Sequence, residues 1–170
     1  MASLGLEGKV ILVTGGNKGI GSAIVDLLEE LGAKVAYTYR SDAGSHKSLA
    51  IQADVTSYDE MVKVTEQIET ELGPIYGVVA NAGITKDSLF VKSTREQWDA
   101  VIETNLTGVY NTVRPTMPKM NEHGEGAIVL ISSIVGEQGN LGQANYAAAK
   151  AGLIGFAKTL ALEGARYKVR

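Results

Sequence analysis

The chain contains no cysteine. Disulfide scaffolding and thiolate chemistry are therefore excluded, and a cytoplasmic home is the natural expectation. No apolar run approaches the roughly 20 residues that a bilayer span requires, so no membrane partner is expected. The net charge of −3 sets up no general field that would gather nucleic acid or an anionic membrane. Met1 to Val13 shows neither a basic stretch leading into an apolar one nor an Arg-rich amphipathic pattern, and no targeting segment is expected. Repeats, low-complexity tracts and linkers are also missing. What remains is an ordinary globular balance, 45% apolar and 21% charged over 170 residues, enough for one domain with a sizeable core. Glycine is the exception. Its 20 residues ask for turns in which backbone approaches something closely.

Short β-branched runs alternate with helical patterns, which predicts βαβ units on a parallel sheet. Val10 to Val13 is the first strand. After it Ile20, Ile24, Leu27, Leu28 and Leu31 recur at three- and four-residue spacing, predicting the apolar face of a helix closed by Gly32. Lys34 to Tyr39 reads as the second strand. The polar stretch Ser41 to Lys47, with Gly44 inside it, predicts a loop or a single helical turn. Leu49 to Ala53 is the third strand, Asp59 to Leu72 an amphipathic helix stopped by Gly73-Pro74, and Tyr76 to Ala80 the fourth strand. A long helix is expected from Thr94 to about Arg114, where Pro115 and Pro118 each remove a hydrogen bond and should bend or end it. Ala127 to Ile131 is the fifth strand, Gln143 to Ala165 the last helix, and Tyr167 to Arg170 resembles the start of a sixth strand. The fold class is α/β, a doubly wound parallel sheet of Rossmann type, as a single domain over residues 1–170.

Directly after the first strand stands Thr14-Gly15-Gly16-Asn17-Lys18-Gly19-Ile20-Gly21, opening a helix. Gly15 permits a sharp turn, Gly19 lets backbone approach a pyrophosphate, and Gly21 allows close packing of helix on strand. Phosphates would sit on the unpaired N–H groups of the helix start, where the dipole favours negative charge. At the end of the second strand an NAD enzyme usually carries Asp or Glu for the ribose 2′-hydroxyl. Here Tyr39-Arg40 stands, with Lys18 able to reach the same spot. Two cations suit a 2′-phosphate and point to NADP(H). Asp42 competes: turned inward, it would repel that phosphate.

Tyr146 and Lys150 lie four residues apart on one helical face, with only alanines between them. A free phenol has a pKa of about 10, and a neighbouring ammonium stabilises its anion, making Tyr146 a usable general acid. Alone, this is a weak pattern. Ser133 ends the fifth strand, and the C-terminal ends of parallel strands are where such sheets place ligands. Its hydroxyl can hold a carbonyl beside Tyr146, or merely cap the strand. Asn105, a poor helix former flanked by Val101, Ile102 and Leu106, either faces solvent or holds a local kink and a water.

Together these residues resemble the short-chain dehydrogenase/reductase family. The matches are Thr14-Gly15 with Gly19 and Gly21, Asp54, Asn81-Ala82-Gly83, Asn105, Ser133, and Tyr146 with Lys150, in the family's order and over the whole chain. The resemblance implies that Asp54 and Val55 frame the adenine and that Asn81, Ala82 and Gly83 line the ribose side. It further implies that Asn17 and Ile20 join the phosphate loop, that Lys150 holds the nicotinamide ribose, and that Asn105 anchors a water in a proton relay. Ser133, Gln143 and Tyr146 would face the substrate. No metal is assigned.

Asn81 to Asp87 and Gly142 to Phe156 are similar to bacterial 3-oxoacyl-acyl-carrier-protein reductases of fatty acid biosynthesis. Ser3 to Gly21, Ser41 to Lys47, Gly73 to Asp87 and Trp98 to Val101 resemble acetoacetyl-CoA reductases of polyhydroxybutyrate biosynthesis. Glu122, His123 and Glu125 stand where carrier-protein reductases tend to be basic, while Arg166, Lys168 and Arg170 remain for an anionic carrier or a CoA phosphate. The implied activity is NADPH-dependent reduction of a 3-oxoacyl thioester on acyl carrier protein or CoA, in a homotetramer. Such enzymes run to roughly 250 residues as one domain, so the chain is expected to be C-terminally truncated relative to the family and a poor enzyme alone. Two alternatives stay open: a non-catalytic dinucleotide-binding fragment, or a family member acting on a sugar or other alcohol.

Overall fold

The computed structural model describes residues 4–170, and residues 1–3 of the stretch read for a targeting segment lie outside it. Five strands alternate with helices as the hydrophobic runs predict: β1 (Val10–Val13), α1 (Gly19–Glu30), β2 (Lys34–Tyr39), β3 (Leu49–Gln52), α2 (Tyr58–Glu71) and β4 (Ile75–Ala80). Then come α3 (Arg95–Ile102), a π-helical segment (Glu103–Thr107), α4 (Gly108–His123), β5 (Ala127–Leu130), the single turn α5 (Val135–Gln138) and α6 (Ala144–Gly164). The strands pair in parallel in the order β3-β2-β1-β4-β5. This is a doubly wound, Rossmann-type sheet whose order reverses between β1 and β4. Alternation along β1 divides the core. Val10 and Leu12 meet the helix side of α2 and α4, through Met61, Val64, Ile68 and Met120, while Ile11 and Val13 meet Val25 and Tyr37 under α1. Val169 bridges to Gly126, and the Ile128 N–H donates to the Arg170 carbonyl at 2.8 Å, so the last residues do begin to pair beside β5.

Two expectations need correction. The helix does not stop near Arg114. Instead α4 runs through Pro115 and Pro118 to His123, where Gly124 (φ +73°) ends it. Arg114, whose carbonyl loses its helical partner to Pro118, faces solvent and can be satisfied by water, while buried Val113, Met117 and Met120 hold the helix on the core. The break lies earlier, in the π segment around Asn105. The apolar face of α1 is only partly the one counted from large side chains: Ile24 and Leu28 do pack on the core. Ile20 and Leu27 are exposed, and the buried positions are Gly21 and Val25, with Leu28 packed against them. Of the two forms expected for Ser41 to Lys47, the loop is the one found, crossing from β2 to β3.

Candidate active site

The switch point opens a cleft of about 480 Å³. Its walls come from the C-terminal ends of four strands: Gly15 and Asn17–Ile20 after β1, Thr38–Ser41 at β2, Ala53–Val55 after β3, and Asn81–Ile84 after β4. Thr104 of the π segment joins them. Gly15 sits at φ +65°, and a Cβ there would stand 3.1 Å from the Ala82 Cα. Gly19 also has positive φ, +57°, but a Cβ on it would meet nothing within 4 Å. Its missing side chain leaves open space at the first turn of α1, where an α-helix carries N–H groups without intrahelical partners. A Cβ on Gly21 would collide with the Gly15 carbonyl. Gly21 is thus needed for the loop to fold under α1, rather than for helix–strand contact.

Thr14 and Asn81 stitch the two sides of the switch point together. Asn81 and Ala82 donate their N–H groups to Thr14 Oγ1 at 3.0 and 3.1 Å, and Asn81 Nδ2 donates to the carbonyls of Thr14 and Gly15. Thr14 is buried, so it supports the cleft from beneath without lining it. Lys18, Tyr39 and Arg40 line the same cleft, both cations exposed. Asp42 is not part of that wall; its Oδ1 accepts the Gly44 N–H at 3.0 Å. Asp54 turns its carboxylate to Thr56, accepting from N–H and hydroxyl at 2.9 and 2.8 Å, while Val55 is buried beneath.

The other expected residues gather beyond β4 and β5, outside the lining of this cleft. Lys150 is 4% exposed, and its Nζ donates to the Ile131 carbonyl at 2.6 Å. Burial pushes its pKa down from the ordinary lysine value. The ammonium stands 5.6 Å from the centre of the Tyr146 ring, one helical turn away on α6. Ser133 Oγ accepts the Val135 N–H at 3.2 Å and so opens α5, while remaining partly exposed. Gln143 donates to Asp87 Oδ2 at 2.9 Å, joining the start of α6 to the loop after β4.

Asn105 is fully buried, which removes the solvent-facing alternative. Its Oδ1 accepts the Ile84 N–H at 3.1 Å, and its Nδ2 donates to the Ile84 and Val101 carbonyls at 2.8 and 2.9 Å. A π segment is a local widening of the helix, common where a side chain must be aimed. Here it aims Asn105 at the loop after β4. Two residues of this region escaped sequence reasoning. Asn145 is buried and ties the start of α6 to the Lys86 and Gln97 carbonyls. Ser132 donates its hydroxyl to the Lys150 carbonyl at 2.8 Å. An amide residue directly before Tyr146 at a helix start was a usable signal; Ser132 offered none that distinguished it from Ser133.

A cleft against a glycine-rich helix start, at the point where the strand order of a doubly wound sheet reverses, defines a Rossmann-type dinucleotide-binding protein. The family model described as short chain dehydrogenase matches residues 9–170, and the chain belongs to that family of oxidoreductases, which bind a nicotinamide dinucleotide. It is 57% identical over 171 residues to an acetoacetyl-CoA reductase of Synechocystis sp., covering 100% of this chain and 71% of the relative. It is 48% identical over 164 residues to an acetoacetyl-CoA reductase of Shinella zoogloeoides, covering 92% and 68%. With the 3-oxoacyl-acyl-carrier-protein reductase of Escherichia coli the identity is 43% over 168 residues, covering 94% and 69%. Among the described residues, no helix is long and apolar enough to cross a membrane.

Proposed function

We propose that this chain carries the catalytic machinery of an NADPH-dependent reductase of 3-oxoacyl thioesters, acting in the cytoplasm, with acetoacetyl-CoA as the best-supported substrate. The observation that carries the reading is Lys150, a buried ammonium fastened to the end of β5 and facing the Tyr146 ring. A lysine is rarely buried so fully without a task. The relatives support the thioester, and the acidic Glu122 and Glu125 before β5 favour CoA over an acidic carrier protein.

The cleft fits a dinucleotide. Gly19 leaves room for phosphate against backbone, Asp54 and Val55 border the adenine end, and Asn81 to Gly83 border the ribose side. Lys18 and Arg40 at the rim, with Asp42 tied to Gly44, support NADP(H) over NAD(H). When bound, the nicotinamide supplies a hydride for the 3-keto carbon. Tyr146 donates its phenolic proton to the oxygen as that carbon is reduced, and the keto group becomes a hydroxyl. Ser133 holds the oxygen in place. Lys150 spends one of its three donors on Ile131 and keeps the others for the ribose hydroxyls, while its charge eases proton loss from Tyr146. Asn105, by fastening Ile84, keeps the loop after β4 in register with this site.

The test is turnover of acetoacetyl-CoA with NADPH and with NADH, on the protein at its full natural length. NADPH should be preferred, and Tyr146→Phe should lower turnover by about 10²–10⁴-fold, the usual contribution of a general acid, with NADPH binding nearly unchanged. Wild-type turnover in the Phe variant would remove Tyr146 from the mechanism. Equal use of both cofactors would remove the role given to Lys18 and Arg40.

A further inference from the structure

The crossover from β2 to β3 is a loop with no helix of its own, and it starts at the residues that border the adenosine end of the cleft, Arg40 and Ser41. A helix-free loop of this length should be free to move unless something holds it. Here its far half is fastened to α1. His46 lies between Ser22 and Asp26, with Nε2 3.0 Å from the Ser22 hydroxyl and Nδ1 2.9 Å from Asp26 Oδ1. A carboxylate can only accept, so Nδ1 carries the proton there, and in the neutral ring Nε2 accepts from Ser22. The imidazole is nearly enclosed, its side chain 7% exposed, and it stands edge-on to buried Tyr37 of β2 at 5.2 Å between ring centres.

Ser22, Asp26 and Glu29 are four and three residues apart, one stripe of α1. Glu29 continues the fastening by accepting from the backbone N–H of Ser48 and from its hydroxyl. Between these anchors and Arg40, the Tyr37 hydroxyl donates to the Ala43 carbonyl at 2.8 Å, and Gly44 (φ +75°) lies so close to the phosphate loop that a Cβ would be 3.0 Å from the Asn17 carbonyl oxygen. The loop is therefore seated on the phosphate loop and α1 at once. His46 is its one ring clamped on both sides.

We propose that His46 is a specificity-positioning residue: by locking the crossover loop to α1 it sets Arg40 where a 2′-phosphate would lie, and so tunes the discrimination between NADP(H) and NAD(H). This rests on the cofactor reading given above. His46 touches neither cleft nor substrate, so it acts only through the loop.

The experiment compares wild type, His46→Ala, His46→Gln and Ser22→Ala in the full-length protein, measuring KM for NADPH and for NADH separately from kcat. His46→Ala should raise KM for NADPH roughly tenfold, the scale of one charge-assisted hydrogen bond lost. The KM for NADH, the KM for acetoacetyl-CoA and kcat should each stay within about twofold. His46→Gln, which keeps a donor and an acceptor, should recover part of the loss, and Ser22→Ala should show a smaller version of it. In the cofactor-free protein, amide hydrogen exchange should quicken over residues 41–47 in His46→Ala but not along β1. An unchanged NADPH-to-NADH ratio, or a loss equal for both cofactors, overturns the proposal, as does unchanged exchange in the loop. The wild-type ratio is read first: no preference for NADPH would overturn the cofactor reading itself, a result distinct from failure of the His46 variants.

Discussion

At the scale of single residues, Lys150 carries a physical tension. Its ammonium is buried and hydrogen-bonded to one carbonyl, and burial lowers its pKa. The unfolded chain keeps that proton up to the ordinary lysine value, while the folded chain releases it at lower pH. Between the two the unfolded state binds more protons, so this group makes stability rise with pH, and its cost is fully present below the folded value. Lys150→Met keeps most of the volume and removes the charge. The variant should unfold at higher urea than wild type near pH 7, and the gap should narrow as pH climbs toward about 10.4, the ordinary lysine value. Turnover should be lost. A variant less stable than wild type at neutral pH would mean that the bond to Ile131 outweighs the buried charge. Retaining such a group against stability is what a catalytic assignment leads one to expect.

At the scale of elements, much of the architecture was legible because each strand is a short apolar run set off by turn residues, and α1 and α2 end at Gly32 and Gly73-Pro74. Gly15, Gly19 and Gly21 were legible as a phosphate loop for the same reason: only glycine suits those positions. Three things were not. The continuity of α4 through Pro115 and Pro118 depends on tertiary burial of Val113, Met117 and Met120, which overrides local penalties. The buried face of α1 runs through Gly21, invisible to a count of large apolar side chains. His46 looked like one polar residue in a polar loop, since its partners lie 20 and 24 residues back along the chain. Asn105 stood between two readings until its burial was known, and the π segment makes a specific claim about it. Asn105→Ala would strand the Ile84 N–H and the Ile84 and Val101 carbonyls. A buried polar group left without a partner costs about 1–3 kcal/mol, so the midpoint of urea unfolding should fall accordingly. Because the loop it pins borders the cleft, kcat should fall as well. A stable variant with full turnover would show that the widened helix is incidental.

At the scale of the whole molecule, α6 has more apolar surface than one core can cover. Leu153 is buried and Phe156 and Leu160 pack toward α4, yet Leu162 is 81% exposed and Tyr110 on α4 is 47% exposed. Between the two helices runs a groove of about 870 Å³ whose walls include Val113, Met117, Phe156, Leu160 and Leu162. A helix that is apolar toward both core and solvent needs a second cover. The homo-oligomer expected from the family resemblance would supply it by seating a second copy on this face. Leu162 is the position at which to test this, because its exposure means that substitution leaves the subunit's own core intact. Leu162→Glu would place a carboxylate inside the contact, where it must be dehydrated without a designed partner. Sedimentation should then shift from the assembled species to the single chain, and the melting temperature should lose its dependence on protein concentration. The far-ultraviolet dichroism of α6 and its neighbours should be unchanged. If the variant sediments as wild type does, the groove does not carry the subunit contact, and the outer face of α6 must be covered by something other than a second copy.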